Sequence, residues 1–99
     1  MAAKKVSETP ELMRKRINEA VAMDAELDGV DVRVFLYLSA AGAFDEHVHV
    51  PQIQLAMMLR RRKEHISRAI RNLTENGVIV PSEKGTRGSE WRINPDYGK

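Results

Sequence analysis

Apolar residues Leu12, Met13, Ile17, Ala20, Val21 and Leu27 recur at helical spacing, with Arg14, Lys15, Asn18, Glu19 and Glu26 on the opposite face. Thr9, Pro10 and Glu11 read as N-cap, first helical residue and first-turn acid, so the pattern predicts a helix over 9–28 that Gly29 ends. Residues 1–8 are expected to be a flexible tail. Asp31 reads as the next N-cap. The stretch Val32 to Ala41 is too apolar for a surface helix, which places Val34, Phe35, Leu38 and Ala41 in the core, and Gly42 closes it. His47 to Val50 alternates with period two, as a short strand does. Pro51 opens a third helix through Ile53, Leu55, Ala56 and Leu59. Arg60 and Arg61 then interrupt the apolar pattern, which predicts a turn. A fourth helix from Arg62 to about Glu75 buries Ile66, Ala69, Ile70 and Leu73, and Asn76-Gly77 stops it. Val78 to Val80 and Glu90 to Ile93 read as strands joined by a polar, glycine-bearing hairpin loop over 81–89. The expected fold is mainly α with a small antiparallel sheet, in the order α-α-β-α-α-β-β.

Composition narrows the possibilities. Ninety-nine residues, 42% apolar and 30% charged, suit one small globular domain. Without cysteine there is no disulfide framework, thiolate nucleophile or cysteine-based zinc site. No apolar run approaches the roughly 20 residues of a membrane span, and no apolar stretch follows Lys4 and Lys5 as in a secretory signal. The expected setting is therefore the cytoplasm, without membrane association.

The net charge of +2 conceals a division along the chain. Residues 6–50 carry four basic and nine acidic side chains, whereas residues 60–92 carry nine basic and four acidic. That placement bears on partners rather than on fold. The third and fourth helices, with a tight turn between them, form a helix-turn-helix candidate, in which the second helix offers its N-terminal turns to the major groove. With Ile66, Ala69, Ile70 and Leu73 facing inward, the outward face holds Arg62, Lys63, His65 and Arg68, with Arg71 further along. Arg60, Arg61, Arg71 and the hairpin are expected mainly to hold phosphates, and an arginine fork on the helix also pairs with guanine O6 and N7. The following hairpin is the expected wing. Its tip carries Lys84, Thr86 and Arg87, placed to lie along the backbone or enter the minor groove.

These segments resemble a known family. The stretch Ile53 to Leu59, followed by Ile66 to Val80, is similar to the winged helix-turn-helix of bacterial regulators of the MarR and Crp superfamilies. Leu55-Ala56 matches the first motif helix. Ser67-Arg68 with Leu73 and Gly77-Val78-Ile79 match the recognition helix and its exit into the wing, so Ser67 joins the DNA-binding set that the resemblance implies. The ending Asn94-Pro95-Asp96-Tyr97 is similar to RepL-type plasmid replication proteins. The resemblance covers residues 31–99, with a winged domain over 31–94 and a tail over 95–99. The chain departs from the family at Arg60 and Arg61, where a glycine and an aliphatic residue are usual. Either Arg61 buries its stem and keeps its guanidinium wet, or the turn is rebuilt.

Other readings carry less. His47 and His49 are two apart on a strand, a weak metal site without a third ligand. Lys84-Gly85-Thr86 lacks the upstream glycine of a phosphate-binding loop. Trp91 could stack on a base, but its strand spacing with Ile93 favours the core. Nothing assembles a nucleophile with a base and an orienting acid, so no enzyme, cofactor or metal is expected. A chain this short leaves little room for an effector pocket. The N-terminal helix either caps the core or forms a homodimer contact through Leu12, Met13, Ile17, Val21 and Leu27. Taken together, the expectation is a dimeric, sequence-specific double-stranded DNA-binding protein of the nucleoid or a plasmid. A transcriptional regulator or repressor comes first, then a plasmid replication, segregation or transfer protein. A protein-interaction module is the rival from another class.

Overall fold

A computed structural model describes residues 7–82 and 89–99. Its elements are α1 (Pro10–Met23), α2 (Gly29–Ala40), β1 (Val48–His49), α3 (Gln52–Leu59), α4 (Lys63–Glu75), β2 (Ile79–Pro81) and β3 (Glu90–Ile93). The fold is thus mainly helical with a small antiparallel sheet, in the expected order.

The start of α1 follows its sequence signal, with Thr9 Oγ1 accepting from the Leu12 N–H at 3.1 Å. Its end does not. The helix stops at Met23 although apolar spacing continues to Leu27, because Asp24 turns the chain locally by accepting from the Glu26 N–H at 2.9 Å. Gly29, expected to end α1, is instead the first residue of α2. The N-cap is Asp28 rather than Asp31. Asp28 accepts from the Asp31 N–H and Asp31 accepts from the Asp28 N–H, both at 2.9 Å, a reciprocal capping box. Asp31 is only 2% exposed and also accepts from Asn72 Nδ2 of α4 at 2.6 Å, so one carboxylate ties the start of α2 to the back of α4.

Three helices end in the same way, with a residue at positive φ followed by a backbone N–H that reaches back five residues. Gly42 (φ 104°) precedes the Ala43 bond to Leu38 O, and Gly77 (φ 76°) precedes the Val78 bond to Leu73 O. At the end of α3 the position is held by Arg60 (φ 55°), and the Arg61 N–H bonds Ala56 O at 3.0 Å. The turn is therefore kept rather than rebuilt, and Arg61 is exposed rather than wedged between the helices. A side chain in this region costs about 1–2 kcal/mol, which glycine escapes at the expense of unfolded-chain entropy. Arg60→Gly is accordingly expected to stabilise the protein by about 0.5–1 kcal/mol, read as a higher urea midpoint at unchanged slope.

The sheet order is β1-β3-β2, antiparallel throughout, with Trp91 opposite Val48 and Ile93 opposite Ile79. Period-two alternation turns Trp91 (4% exposed) and Ile93 (1%) into the core, as their spacing predicts. There they join Phe35, Leu38, Leu55, Ile66 and Leu73 from the helices. Phe35 and Phe44 meet edge to face at 6.1 Å, and Arg14 lies over Phe44 while pairing with Asp45 at 3.0 Å.

Residues 95–99, expected as a tail, are docked on α1. Arg16 donates to the carbonyls of Pro95 (2.6 Å) and Tyr97, and pairs with Glu8 at 2.8 Å on its other side. This pairing holds the Glu8 carboxyl below, and the Arg16 guanidinium above, their ordinary pKa values. Gly98 has φ +84°, and a Cβ there would sit 2.8 Å from Ala20 Cβ, so both backbone and space demand glycine. The Tyr97 hydroxyl donates to Asp24 Oδ2 at 2.5 Å. Burial, and then that carboxylate, push the phenol's pKa upward. The neutral phenol is the form the fold favours. Its contribution is therefore full below an unfolded-state pKa of about 10 and is lost as pH rises toward the higher folded value. Tyr97→Phe should cost about 1–2 kcal/mol at neutral pH and remove this part of the alkaline destabilisation, checked by urea melts at about pH 8 and about pH 11.

Candidate nucleic-acid interface

The turn between α3 and α4 is built so that a run of cations has nowhere to go but outward. Leu55 and Leu59 bury one side of α3, while Ile66, Ala69, Ile70 and Leu73 bury one side of α4. The connecting backbone is spent on closing α3, with Arg60 left-handed and Arg62 extended (φ −67°, ψ 149°) at the N-cap of α4. Arg60, Arg61, Arg62 and Lys63 are all exposed, as are Arg68 and Arg71. Among the described residues, none of these six cations has an ion pair or a side-chain hydrogen bond. The acidic half differs: Glu8, Glu19 and Asp45 are each paired with a cation from α1.

No side chain caps α4. Its first N–H groups and the positive end of its dipole therefore face outward beside Arg62 and Lys63, an arrangement that favours an anion. Lys63, Glu64, Ser67 and Arg71 line one open depression of about 400 Å³. Arg68 lies on the neighbouring strip and shares a cleft of about 450 Å³ with Asp28, Asp31, Arg71, Asn72 and Glu75. Ser67 and His65 are half-buried. The sequence grouping of Arg62, Lys63, His65 and Arg68 is thus divided: Lys63 stands with Ser67 and Arg71, and Arg68 stands towards the start of α2. Glu64, the one acid among residues 60–71, shares the depression with Lys63 but falls outside the sequence grouping, which follows the cations. Its position one helical turn before Arg68 was the available signal. In a groove, a carboxylate there accepts from cytosine N4 and repels phosphate.

No family model, curated protein or solved structure matches this chain. The residues carry the reading by themselves.

Lys84, Thr86 and Arg87, expected at the hairpin tip, lie outside the described residues. The strands that would carry that tip, β2 and β3, pair in register directly after α4. The dimer stripe expected on the N-terminal helix is corrected. Ile17 (0% exposed) and Val21 (3%) are sealed in the chain's own core, and Met13 and Leu27 pack against it. Leu27 is not helical at all, and only Leu12 of the five is exposed. Amphipathic spacing identified the buried face of α1, but this face is covered by the same chain. His47 and His49 are exposed beside β1 and in it, and among the described residues no group of three metal-ligating side chains forms. Trp91 Nε1 is buried without a hydrogen-bond partner among the described residues, consistent with a packing role. Among the described residues no helix is long and apolar enough to cross a membrane.

Proposed function

We propose that this chain is a winged helix-turn-helix protein that binds double-stranded DNA at specific sites, acting by binding rather than catalysis. The observation that supports it is the set of six exposed arginine and lysine side chains, unpaired among the described residues, on the α3–α4 turn and the outward face of α4. Unpaired cations crowded on one face repel one another, and a polyanion relieves that repulsion. In this reading α4 enters the major groove. Lys63, Glu64, Ser67 and Arg68, on its first two turns, meet base edges, while Arg60, Arg62 and Arg71 hold phosphates. Lys84, Thr86 and Arg87 act as the wing, on the backbone or in the minor groove.

A transcriptional regulator is the first biological role, because a protein that covers a specific duplex site can occlude a promoter without further machinery. The plasmid-replication reading drew on Asn94, Pro95, Asp96 and Tyr97. Asn94 Nδ2 donates to Gly77 O at 2.9 Å and Tyr97 donates to Asp24, so packing accounts for two of those residues without a DNA role. Selection of bound duplexes from a random pool, followed by retardation at several salt concentrations, tests the proposal. The expected result is an enriched sequence whose log affinity falls with log salt at about −0.9 per phosphate contact. No enrichment, and no retardation at low salt, would leave the protein-interaction alternative standing.

A further inference from the structure

Among the described residues α3 is the only helix without a charged residue, and beside Gln54 its outward face carries three apolar side chains: Ile53 is 63% exposed, Met57 72% and Met58 59%. Of the seven large hydrophobic side chains exposed among the described residues, these three fall within one eight-residue helix. Scattered single exposures need no explanation, but a cluster does.

We propose that this face is a two-fold contact with a second copy of the chain, the two α3 helices lying antiparallel. An isologous contact sets each surface against itself, so a face of one sign is excluded by like-charge repulsion. That removes the basic face of α4, and the sealed core side chains remove the inner face of α1. The α3 face is compatible with its own copy. It also has opposite charges at its two ends. Arg61 follows its C-terminal end. Glu46 stands beside its N-terminal half, in an open cleft of about 580 Å³ shared with Tyr37, His47 and Gln54. Gln54 Nε2 donates to the Tyr37 hydroxyl at 3.0 Å and fixes that wall. Neither Arg61 nor Glu46 has an ion-pair partner among the described residues. Antiparallel docking carries the Arg61 of each copy into the cleft at the Glu46 of the other, twice by symmetry. Arg61, expected from sequence to hold a phosphate, is thereby assigned to the dimer. Three apolar side chains and two ion pairs make a small contact by the standard of stable interfaces of roughly 800 Å² per partner, so the association is weak and reversible.

The interface takes Arg61 from the six cations of the DNA reading and leaves the other five to it, and its test needs no DNA. Sedimentation of the full chain over a roughly hundredfold concentration range should show an average mass rising from one chain toward two. Met57→Lys should abolish that rise, with a melting temperature equal to the parent's at concentrations where the parent is monomeric, since the side chain is exposed. Arg61→Glu alone should weaken the dimer about tenfold, and combining it with Glu46→Arg should restore it. A monomer at every concentration, a dimer that survives Met57→Lys, or a charge swap that fails to restore association each overturns the proposal. A dimer that retards no duplex overturns the DNA reading and leaves the interface intact.

Discussion

Replacing Arg62, Lys63 and Arg68 together with alanine is expected to lower affinity for a selected duplex about a hundredfold or more, with no loss of fold stability. Each base-reading contact is worth about 1–3 kcal/mol, and each phosphate contact contributes a released counterion as well. Three such losses exceed the variation expected of surface substitutions. The salt dependence should flatten by about one unit of slope for every phosphate contact removed. Stability should hold because all three side chains are exposed and have no partner among the described residues. Circular dichroism melts would separate the two effects. A variant that melts normally and still binds like the parent would remove α4 from the interface.

Asp31→Ala should have the opposite signature, a loss of about 2–3 kcal/mol of stability at an unchanged contact surface. Asp31 is 2% exposed and its carboxylate receives two hydrogen bonds, from the Asp28 N–H at 2.9 Å and from Asn72 Nδ2 at 2.6 Å. Alanine removes half of the capping box, worth about 1 kcal/mol, and strands a buried donor, which costs about 1–3 kcal/mol more. The total stays near the lower part of that sum because the Asn72 amide keeps its bond to Glu26 O at 2.9 Å. Against a stability of about 5–15 kcal/mol this is a large fraction. A urea midpoint that falls at unchanged slope would confirm it. Asp31→Asn, which keeps an acceptor oxygen, should lose about half as much.

What could be read from sequence divides by the range of the interactions involved. Most of the inward faces of α2 and α4 follows from the pattern, with Phe35, Leu38, Ile66 and Leu73 buried where expected, but Ala41, expected in the core, is the exposed C-cap of α2. The N-cap of α2 was legible in kind but not in place. Two aspartates three residues apart serve as N-cap and N3 of one box, and either alone looks like the cap. The end of α1 was lost because Asp24 makes a local turn that competes with a helical periodicity still running to Leu27. The docking of residues 95–98 was beyond reach, since Arg16 bonds to carbonyls about eighty positions away and carbonyls have no residue identity. At the candidate site the cationic run was plain, but its division into two strips was not. That division depends on how α4 lies against the start of α2, which places Arg68 near Asp28 and Asp31. Arg60 is instructive in the other direction. A departure from the usual glycine suggested a different turn, yet the backbone keeps the left-handed residue and bears its cost.

The clasp on Arg16 also sets an order of events during synthesis. Glu8 and the carbonyls of Pro95 and Tyr97 converge on one guanidinium from opposite ends of the chain. Of the four helices described, α1 is translated first yet gains all its contacts last, because half of its clasp is translated some eighty residues later. Until then the strip of α1 that carries Arg16, Ala20 and Asp24 lacks the cover that Pro95, Tyr97 and Gly98 give it.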